Sequence, residues 1–425
     1  MSPFTKKFAN FIPVLLMACA HAESIANAAD ASPVIAPATA TGAVVDVADK
    51  VSAELYGYLK FDASYDSSQA AIGDYFRSVV SNSQNLRGSN QFNATANQSR
   101  VGINIKGPET SGAKLTGKLE FDFYNDNAGA DNKPVPMMRH AYIEMNWPEE
   151  DFSILAGQTW DVINPLFPTT LNYFAGWFAG NDGYRRPQLR LTKGFRMAGD
   201  SKITSQLAAG KTVGADTVRP FGATINNDGN DAQYPNVQAR VAAQGSLLGA
   251  QPSVLGISGH YGREKYYTGG TTVNGVTTGA TTFTRVPTWS AGGDLFVPLL
   301  DNLTLSGEFL RGQNLASFVG GIGVPVAVTA GVPHGIHATD FWAQLGYKLR
   351  SNWQFNVGGG QSKNDSSDLV AATDAKRNSF VFGNTIYNLS KPLSLGFEFT
   401  QIATDYLGVP GGRDMRYQTS LQLAF

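Results

Sequence analysis

The sequence predicts an all-β fold, a transmembrane antiparallel β-barrel of about 16 strands with long external loops and short periplasmic turns. Many short segments alternate apolar and polar residues, and the connections between them are alternately long and short. No apolar run reaches the roughly 18 residues that a membrane helix requires. The formal net charge is only −1, so the composition gives no reason to expect a nucleic-acid partner.

The alternation is clearest between Gln98 and Trp160. In residues 114–124 the odd positions carry Leu, Gly, Leu, Phe and Phe, while the even positions carry Lys, Thr, Lys, Glu, Asp and Tyr. A period of two places successive side chains on opposite faces of a strand. A soluble sandwich would bury the apolar face, whereas a membrane barrel turns that face to lipid and the charged face to a wet lumen. The density of charge on the polar face favours the barrel.

The same pattern recurs to the end of the chain. The predicted strands are 54–66, 100–106, 114–124, 140–147, 152–157, 184–192, 202–213, 236–243, 253–264, 288–297, 303–311, 339–349, 353–361, 378–388, 393–401 and 414–425. Strands of about 9–11 residues can cross a bilayer when tilted, so the spacing is ordinary for a barrel. An even number of strands allows the sheet to close without a free edge.

The first 28 residues are predicted to be a secretory signal peptide. Lys6 and Lys7 precede an apolar segment at 8–20, which is too short to span a bilayer. Small residues at the expected spacing place the cleavage after Ala22 or Ala28. The exported chain is therefore expected in the outer membrane of a Gram-negative cell.

The only cysteine, Cys19, lies within this apolar segment, so the mature chain should contain no disulfide. A lipoprotein signal ending at Cys19 is an alternative, although Met17 fits that pattern poorly. Residues 29–52 are rich in Ala, Pro and Val, and we expect a flexible periplasmic lead-in. The barrel should occupy residues 53–425.

Four short motifs occur in order in the first half of the barrel. They are KLEFDFY at 118–124, RHAY at 139–142, GQTW at 157–160 and RPQLRLT at 186–192. With these motifs the chain resembles outer-membrane porins, and most of all the DcaP-like porin family. The second half resembles that family only in its alternation and in the terminal Phe425. The resemblance implies a homotrimer of sixteen-stranded barrels that passes small, often anionic, solutes. The lead-in lacks a clear heptad repeat, so the coiled coil of some members is not expected here.

The segment that follows the fifth predicted strand is unusually aromatic for an external loop. Residues 160–183 include two Trp, one Tyr, three Phe and two Pro. In trimeric porins the corresponding third loop folds inward, and we therefore predict a pore-constricting loop at about 159–183. An external flap or a contact with a neighbouring subunit are the alternatives.

Basic side chains are predicted to face the lumen on neighbouring strands. The candidate solute-binding residues are Lys60, Arg100, Lys118 and Arg416 on strands one, two, three and sixteen, Arg186 and Arg190 after the loop, and Trp160 and Asp161 at its start. A ring of Arg and Lys at a constriction favours anions. The alternative is that nearby carboxylates neutralise these cations, the candidates being Asp62, Glu120, Asp122 and Glu144.

We therefore predict a diffusion porin for small hydrophilic solutes, favouring anions such as organic acids, with no enzymatic activity. The expected partners are small anionic or polar solutes, outer-membrane lipid and two further copies of the chain. No cofactor or metal is expected, and His140 is predicted to be a hydrogen-bonding residue of the lumen. An outer-membrane barrel enzyme, or a plugged structural or adhesin barrel, are the alternatives. The sequence offers no grouping of Ser, His and a polar partner that would favour the enzyme.

Overall fold

A computed structural model describes residues 44–48, 50–72, 75–82, 89–124, 133–213, 229, 232–248, 251–268, 271–273, 276–278, 282–315, 321–322, 326–330 and 332–425. The predicted signal peptide and its cleavage sites lie outside these residues. None of the helices in this part of the chain is long and apolar enough to cross a membrane.

Strands make up most of the described chain. In order they are β1 (Val44–Ala48), β2 (Val51–Asp66), β3 (Ala70–Ile72), β4 (Tyr75–Val79), β5 (Gln91–Thr95), β6 (Arg100–Thr110), β7 (Ala113–Asp122), β8 (Met137–Trp147), β9 (Phe152–Trp160), β10 (Arg185–Arg196), β11 (Lys202–Gly210), β12 (Asn236–Ser246), β13 (Pro252–Thr268), β14 (Thr271–Val273), β15 (Val276–Thr278), β16 (Thr282–Leu300), β17 (Leu303–Gln313), β18 (Val326–Thr329), β19 (Val332–Gly335), β20 (His337–Arg350), β21 (Trp353–Asn364), β22 (Ala375–Asn388), β23 (Leu393–Tyr406) and β24 (Gly412–Ala424). A short 3₁₀ turn, Ser366–Asp368, follows β21.

Sixteen of these strands form one closed antiparallel barrel, as predicted. They are β2, β6 to β13, β16, β17 and β20 to β24. Each pairs with the next along the chain, and β24 returns to pair with β2 from Tyr58↔Ala424 to Asp66↔Arg416. On its other side β2 pairs with β6 near its start and with β5 near its end. The closed ladder leaves no barrel strand as a free edge.

The connections differ at the two ends of the barrel. Short turns such as 111–112, 301–302 and 351–352 lie at one end, while the other end carries longer connections such as 161–184 and 314–336. In outer-membrane barrels the short turns face the periplasm and the long loops face outward. The predicted asymmetry is therefore confirmed, and it fixes which end of the barrel is external.

The two faces of the wall carry opposite chemistry. On β2, Leu59 and Phe61 point outward and are exposed, whereas Lys60 and Asp62 point inward and are buried. The last strand, β24, alternates buried and exposed positions along its whole length. A soluble sandwich would bury the apolar side chains, so this arrangement is that of a barrel whose outer surface meets lipid.

Residues 44–48 differ from the flexible lead-in expected for 29–52. They form β1, which pairs with the start of β2 from Val44↔Glu54 to Ala48↔Val51. The Val-rich sequence favours an extended strand, and Lys50, with φ 59°, makes the reversal between the two strands. Short strand pairs also form within long connections for which the sequence pattern predicted no strands. They are β3 with β4, β14 with β15 and β18 with β19.

Phe425 completes the seam that closes the barrel, because its backbone exchanges two hydrogen bonds of 3.0 Å with Gly57. We expect deletion of Phe425 to lower the melting temperature of the folded barrel and its level in the outer membrane. Each lost bond contributes about 0.5–1.5 kcal/mol. Phe425→Ala is the control for the backbone, since it keeps both bonds and removes only the ring. Equal melting temperatures for the deletion and the unchanged protein would contradict this role.

Candidate functional site

Residues 161–183 leave the end of β9, lie inside the barrel and return to β10. Inward side chains from distant strands accept hydrogen bonds from the backbone of this inward loop. Leu166 N–H donates to Glu308 Oε1 at 2.7 Å, and Leu171 N–H donates to Glu398 Oε2 at 2.6 Å. These carboxylates belong to β17 and β23, so the loop crosses the lumen.

Wall side chains also donate to the carbonyl groups of the inward loop. Lys60 Nζ bonds Leu171 O at 2.6 Å, and Asn384 Nδ2 bonds Thr169 O at 2.6 Å. Buried backbone groups need such partners, because a group left without one costs about as much as a lost hydrogen bond. The loop is therefore held from several directions by side chains that the barrel projects inward.

Apolar contacts hold the same loop. Leu166 and Ala179 pack in one buried cluster with Trp342 and Phe380 of the wall. Close approach also requires glycine at position 180, where φ is +117° and a Cβ atom would lie 2.0 Å from the carbonyl oxygen of Phe341. Leu166, Ala179 and Gly180 thus fit the loop closely against the inner wall.

Two buried carboxyl groups meet where the inward loop returns towards the wall. Asp182 of the loop lies beside Asp340 of β20, and neither side chain is exposed to solvent. Burial, and then the neighbouring Asp340, raises the pKa of the Asp182 carboxyl well above its ordinary range. A raised pKa favours the neutral form of Asp182, and a neutral carboxyl beside Asp340 avoids placing two like charges together in a buried site.

An aromatic cluster stands at the base of the loop, near β8 to β10. The rings of Trp160 and Trp177 are stacked with their centroids 5.8 Å apart, and Tyr173 packs against Trp177 at 6.1 Å. The Arg185 guanidinium lies 4.4 Å from the Trp160 ring centroid and donates to the Tyr173 hydroxyl at 2.9 Å. The predicted candidate Trp160 is buried in this cluster.

The predicted cations of the first and last barrel strands have carboxylate neighbours. Lys60 Nζ lies 3.1 Å from Asp62 and also bonds Gln98. Arg416 makes two hydrogen bonds to Asp66, at 2.7 and 2.9 Å. These pairs lie on β2 and β24, the two strands that close the barrel.

Arg100 has two acidic neighbours, Glu120 at 3.5 Å and Asp122 at 3.6 Å. Lys118, on the same strand as those carboxylates, is half-buried and lies 5.5 Å from the Tyr56 ring centroid. Of the carboxylates considered as neutralising partners, Asp62, Glu120 and Asp122 thus lie beside the predicted cations.

The remaining predicted candidates meet where the inward loop joins the wall. Arg186 makes two hydrogen bonds to Asp161, at 2.6 and 2.9 Å, and both side chains are buried. Gln238 Nε2 also donates to Asp161 at 2.6 Å. Arg190 is half-buried and donates to Gln188 Oε1 at 3.2 Å and to the Trp160 carbonyl. Asp161 therefore joins the start of the loop to β10 and β12.

Sequence reasoning missed Arg139, which lies at the centre of the charged wall. The pairing of β7 with β8 contains a β-bulge: Glu120 pairs with His140, but the next residue, Phe121, pairs with Met138. Arg139 is therefore the extra residue, and it turns inward beside His140. Its guanidinium bonds Glu120 at 2.6 Å and Asp122 at 2.8 Å. The signal in the sequence is the break in alternation, where two Met residues precede Arg139 and His140.

The predicted hydrogen-bonding residue His140 falls within the described residues, and so does His337, which lies beside two aspartates. His140 is buried and its Nδ1 lies 3.0 Å from Thr159 Oγ1, in keeping with a hydrogen-bonding role. His337 could share a metal with Asp365 and Asp368, whose ligand atoms lie within 4.8 Å of one another. Arg311 already bonds both oxygens of Asp365, at 2.9 and 2.6 Å, which disfavours a cation there.

A closed barrel of sixteen strands, with an apolar outer face and a loop folded into a charged interior, has the fold of outer-membrane porins. Residues 34–190 match the model of the DcaP outer membrane protein family, so the predicted resemblance is confirmed over β1 to β9 and the start of β10. No curated protein matches the chain in sequence.

Solved structures of outer-membrane channels share this fold. The outer membrane channel DcaP of Acinetobacter baumannii is 17% identical, with a TM-score of 0.70 over 91% of this chain and 100% of that one. The trimer form of OmpT from Vibrio cholerae is 10% identical, with a TM-score of 0.53 and coverages of 89% and 100%. The anion-selective porin from Comamonas acidovorans is 14% identical, with a TM-score of 0.51 and coverages of 88% and 100%.

Glu398 offers a test of how the inward loop is held, since it accepts hydrogen bonds from the loop and from Asn384 and Thr400. We expect Glu398→Ala to destabilise the barrel by about 1–3 kcal/mol, because buried donors lose their acceptor. Limited proteolysis should then cut within residues 161–183. Glu398→Gln keeps one acceptor oxygen and should retain most of the protection. Full protease resistance of Glu398→Ala would show that the loop does not depend on this carboxylate.

Proposed function

We propose that this protein is an outer-membrane diffusion porin that passes small hydrophilic solutes and favours anions such as organic acids. The observation that carries the proposal is the inward loop, residues 161–183, which is fixed inside a closed barrel by its wall. A fixed loop narrows the lumen and so limits the size of the solute. Selection then depends on the charges that face the remaining space.

The distribution of charge around the loop supports a preference for anions. On the side of β17 and β23, Glu308 and Glu398 are buried and accept hydrogen bonds from the loop backbone. A carboxylate whose oxygens are bonded to the loop and shielded by it contributes less to the field along the open path. The acidic wall is thus largely covered by the loop itself.

The wall around β6 to β10 carries an excess of positive charge. Arg100 and Arg139 both lie beside the carboxylates of Glu120 and Asp122. Arg185 joins this group through Tyr173, whose hydroxyl accepts hydrogen bonds from Arg139 and Arg185. Among the described residues, no carboxylate forms an ion pair with Arg185. One positive charge therefore remains in this group, in a partly desolvated space where charges act more strongly than in water.

Among the predicted cations, Lys118 and Arg190 are half-buried, whereas Arg100, Arg186 and Arg416 are buried. We propose that these two side chains meet the solute directly. The buried pairs set the shape and the background field of the wall. No cofactor is required for passage, since the solute undergoes no chemical change.

We also propose that the protein assembles as a homotrimer and is exported by its N-terminal signal. One of the structures that shares the fold, that of OmpT, is a trimer form, and another is of an anion-selective porin. Trimer formation and anion selectivity are properties of those two proteins. We expect them for this chain because it shares their barrel fold.

Planar-bilayer recording of the purified protein tests the proposal. We expect steady, ohmic conductance steps and a reversal potential of anionic sign in a KCl gradient. Lys118→Gln combined with Arg190→Gln should lower the anion preference, because two reachable cations are removed. The effect should shrink in concentrated salt, where the Debye length is about 3 Å at 1 M.

Arg196→Gln is the matched control, since this exposed cation at the periplasmic end pairs with Asp151 and should leave the reversal potential unchanged. An unchanged reversal potential in the double variant would refute the anion preference but leave the channel. Absence of any conductance step would instead favour a plugged structural barrel.

A further inference from the structure

Three basic side chains project from the outside of the barrel near its external end. Arg263 and Lys265 lie at alternate positions of β13, and Arg285 lies on the adjacent strand β16. The residues between them on β13, such as Glu264, point inward and are buried. Arg263, Lys265 and Arg285 are called the rim cations below.

The level of the rim cations along the wall is set by the register of β13 and β16. Tyr261 pairs with Trp289, and below this aromatic level Leu255 and Ile257 are exposed, Ile257 at 70%. Arg263 and Lys265 follow Tyr261 by two and four residues, which is about 7 and 13 Å at about 3.3 Å per residue. Aromatic side chains mark the interface of the apolar layer. The rim cations therefore lie at the height of lipid headgroups in the outer leaflet.

Two of the rim cations face each other directly. Lys265 pairs with Arg285 in the ladder, and both lie over the Phe283 ring, at 4.6 and 4.7 Å from its centroid. Like charges directly opposite each other on one face destabilise a strand pair. Bridging by an anion would convert this repulsion into attraction.

The opposite end of the barrel provides a contrast. There Arg196 and Lys202 lie together, but Asp151 pairs with both, at 2.7 and 3.1 Å. Within the described part of the chain, neither Arg263 nor Arg285 forms an ion pair with a carboxylate. A pair of cations is thus compensated at the periplasmic end, whereas these two guanidiniums at the external rim have no carboxylate partner among the described residues.

Arg263 is also held in place before any ligand arrives. Its Nε donates to Ala232 O at 2.9 Å, its Nη2 donates to Gln233 Oε1 at 2.6 Å, and the guanidinium lies 4.1 Å from the Tyr234 ring centroid. These contacts fix the plane of the guanidinium and use only part of its five N–H donors. A positioned guanidinium binds phosphate with less loss of side-chain entropy than a mobile one.

We propose that the rim cations bind the phosphate of a lipid headgroup in the outer leaflet, with the acyl chains of that lipid lying on the apolar wall at Ile257 and Tyr261. Phosphate oxygens accept charge-assisted hydrogen bonds from Arg and Lys, and the apolar surface directly below accommodates hydrocarbon. The site is on the outer wall and takes no part in solute passage.

The test is the binding of fluorescently labelled, diphosphorylated lipid A to the full-length protein in detergent micelles. We expect Lys265→Gln combined with Arg285→Gln to weaken binding about tenfold, because two charge-assisted contacts are lost. Lys348→Gln combined with Arg350→Gln removes the same charge from the exposed periplasmic end and should change binding less than about twofold. Arg285→Lys should retain most of the affinity, and Arg263→Gln provides an independent loss.

Four results would overturn the proposal. The first is that the Lys265 and Arg285 double variant binds lipid A as tightly as the unchanged protein does. Resistance to heat in detergent would show that the barrel of this variant is folded. The second is equal binding of a dephosphorylated lipid A. A third is thermal stabilisation by inorganic phosphate as large as that by the lipid, which would indicate a site for free anions. The last is a change of oligomeric state in the double variant alone, which would indicate contact with a second copy.

Discussion

Backbone hydrogen bonding is the constraint on which the rest of this structure depends. No water is available in the apolar layer of a bilayer, so each strand must find partners on both sides, and only a closed sheet provides them. The seam between β2 and β24 meets that requirement, and the backbone bonds between Phe425 and Gly57 extend it to the last residue. Closure in turn separates a lipid-facing surface from an enclosed interior.

The same constraint applies inside the barrel, where it takes a different form. A loop that enters the lumen takes its own N–H and C=O groups away from bulk water, and the wall must replace those bonds. Glu308, Glu398 and Asn384 do so from strands far along the chain. In a barrel without this loop, these polar side chains would face water and would not be buried. Holding the loop also covers the two carboxylates, so they contribute less to the electrostatics of the open path.

Many of the charged side chains in the interior are paired with a charge of opposite sign. Arg416 with Asp66 and Arg186 with Asp161 are close, buried pairs, and such pairs contribute shape and rigidity more than net charge. A preference between anions and cations must therefore come from the small remainder, which in the proposed channel lies around Arg185, Lys118 and Arg190. Outside the barrel the rim cations stand in a different medium, where a phosphate group at the lipid surface can balance them.

The sequence by itself determined the strand pattern, because a period of two is a local property of extended chain. It predicted sixteen strands, which face of β2 and β24 meets lipid, and the aromatic loop after β9. It did not find Arg139, because the bulge against Glu120 and Phe121 exists only once β7 and β8 are in register.

Tertiary structure alone decided the partners of the predicted cations. Whether Arg416 meets Asp66, or Arg186 meets Asp161, depends on the relative heights of side chains on different strands, which alternation does not specify. The path of residues 161–183 was likewise fixed by Glu308 and Glu398, which stand on strands that the loop reaches only after the barrel has closed. The alternation of residues determines whether a side chain points inward or outward. Strand register and barrel closure determine which residues that side chain contacts, because register and closure depend on hydrogen bonds between distant parts of the chain.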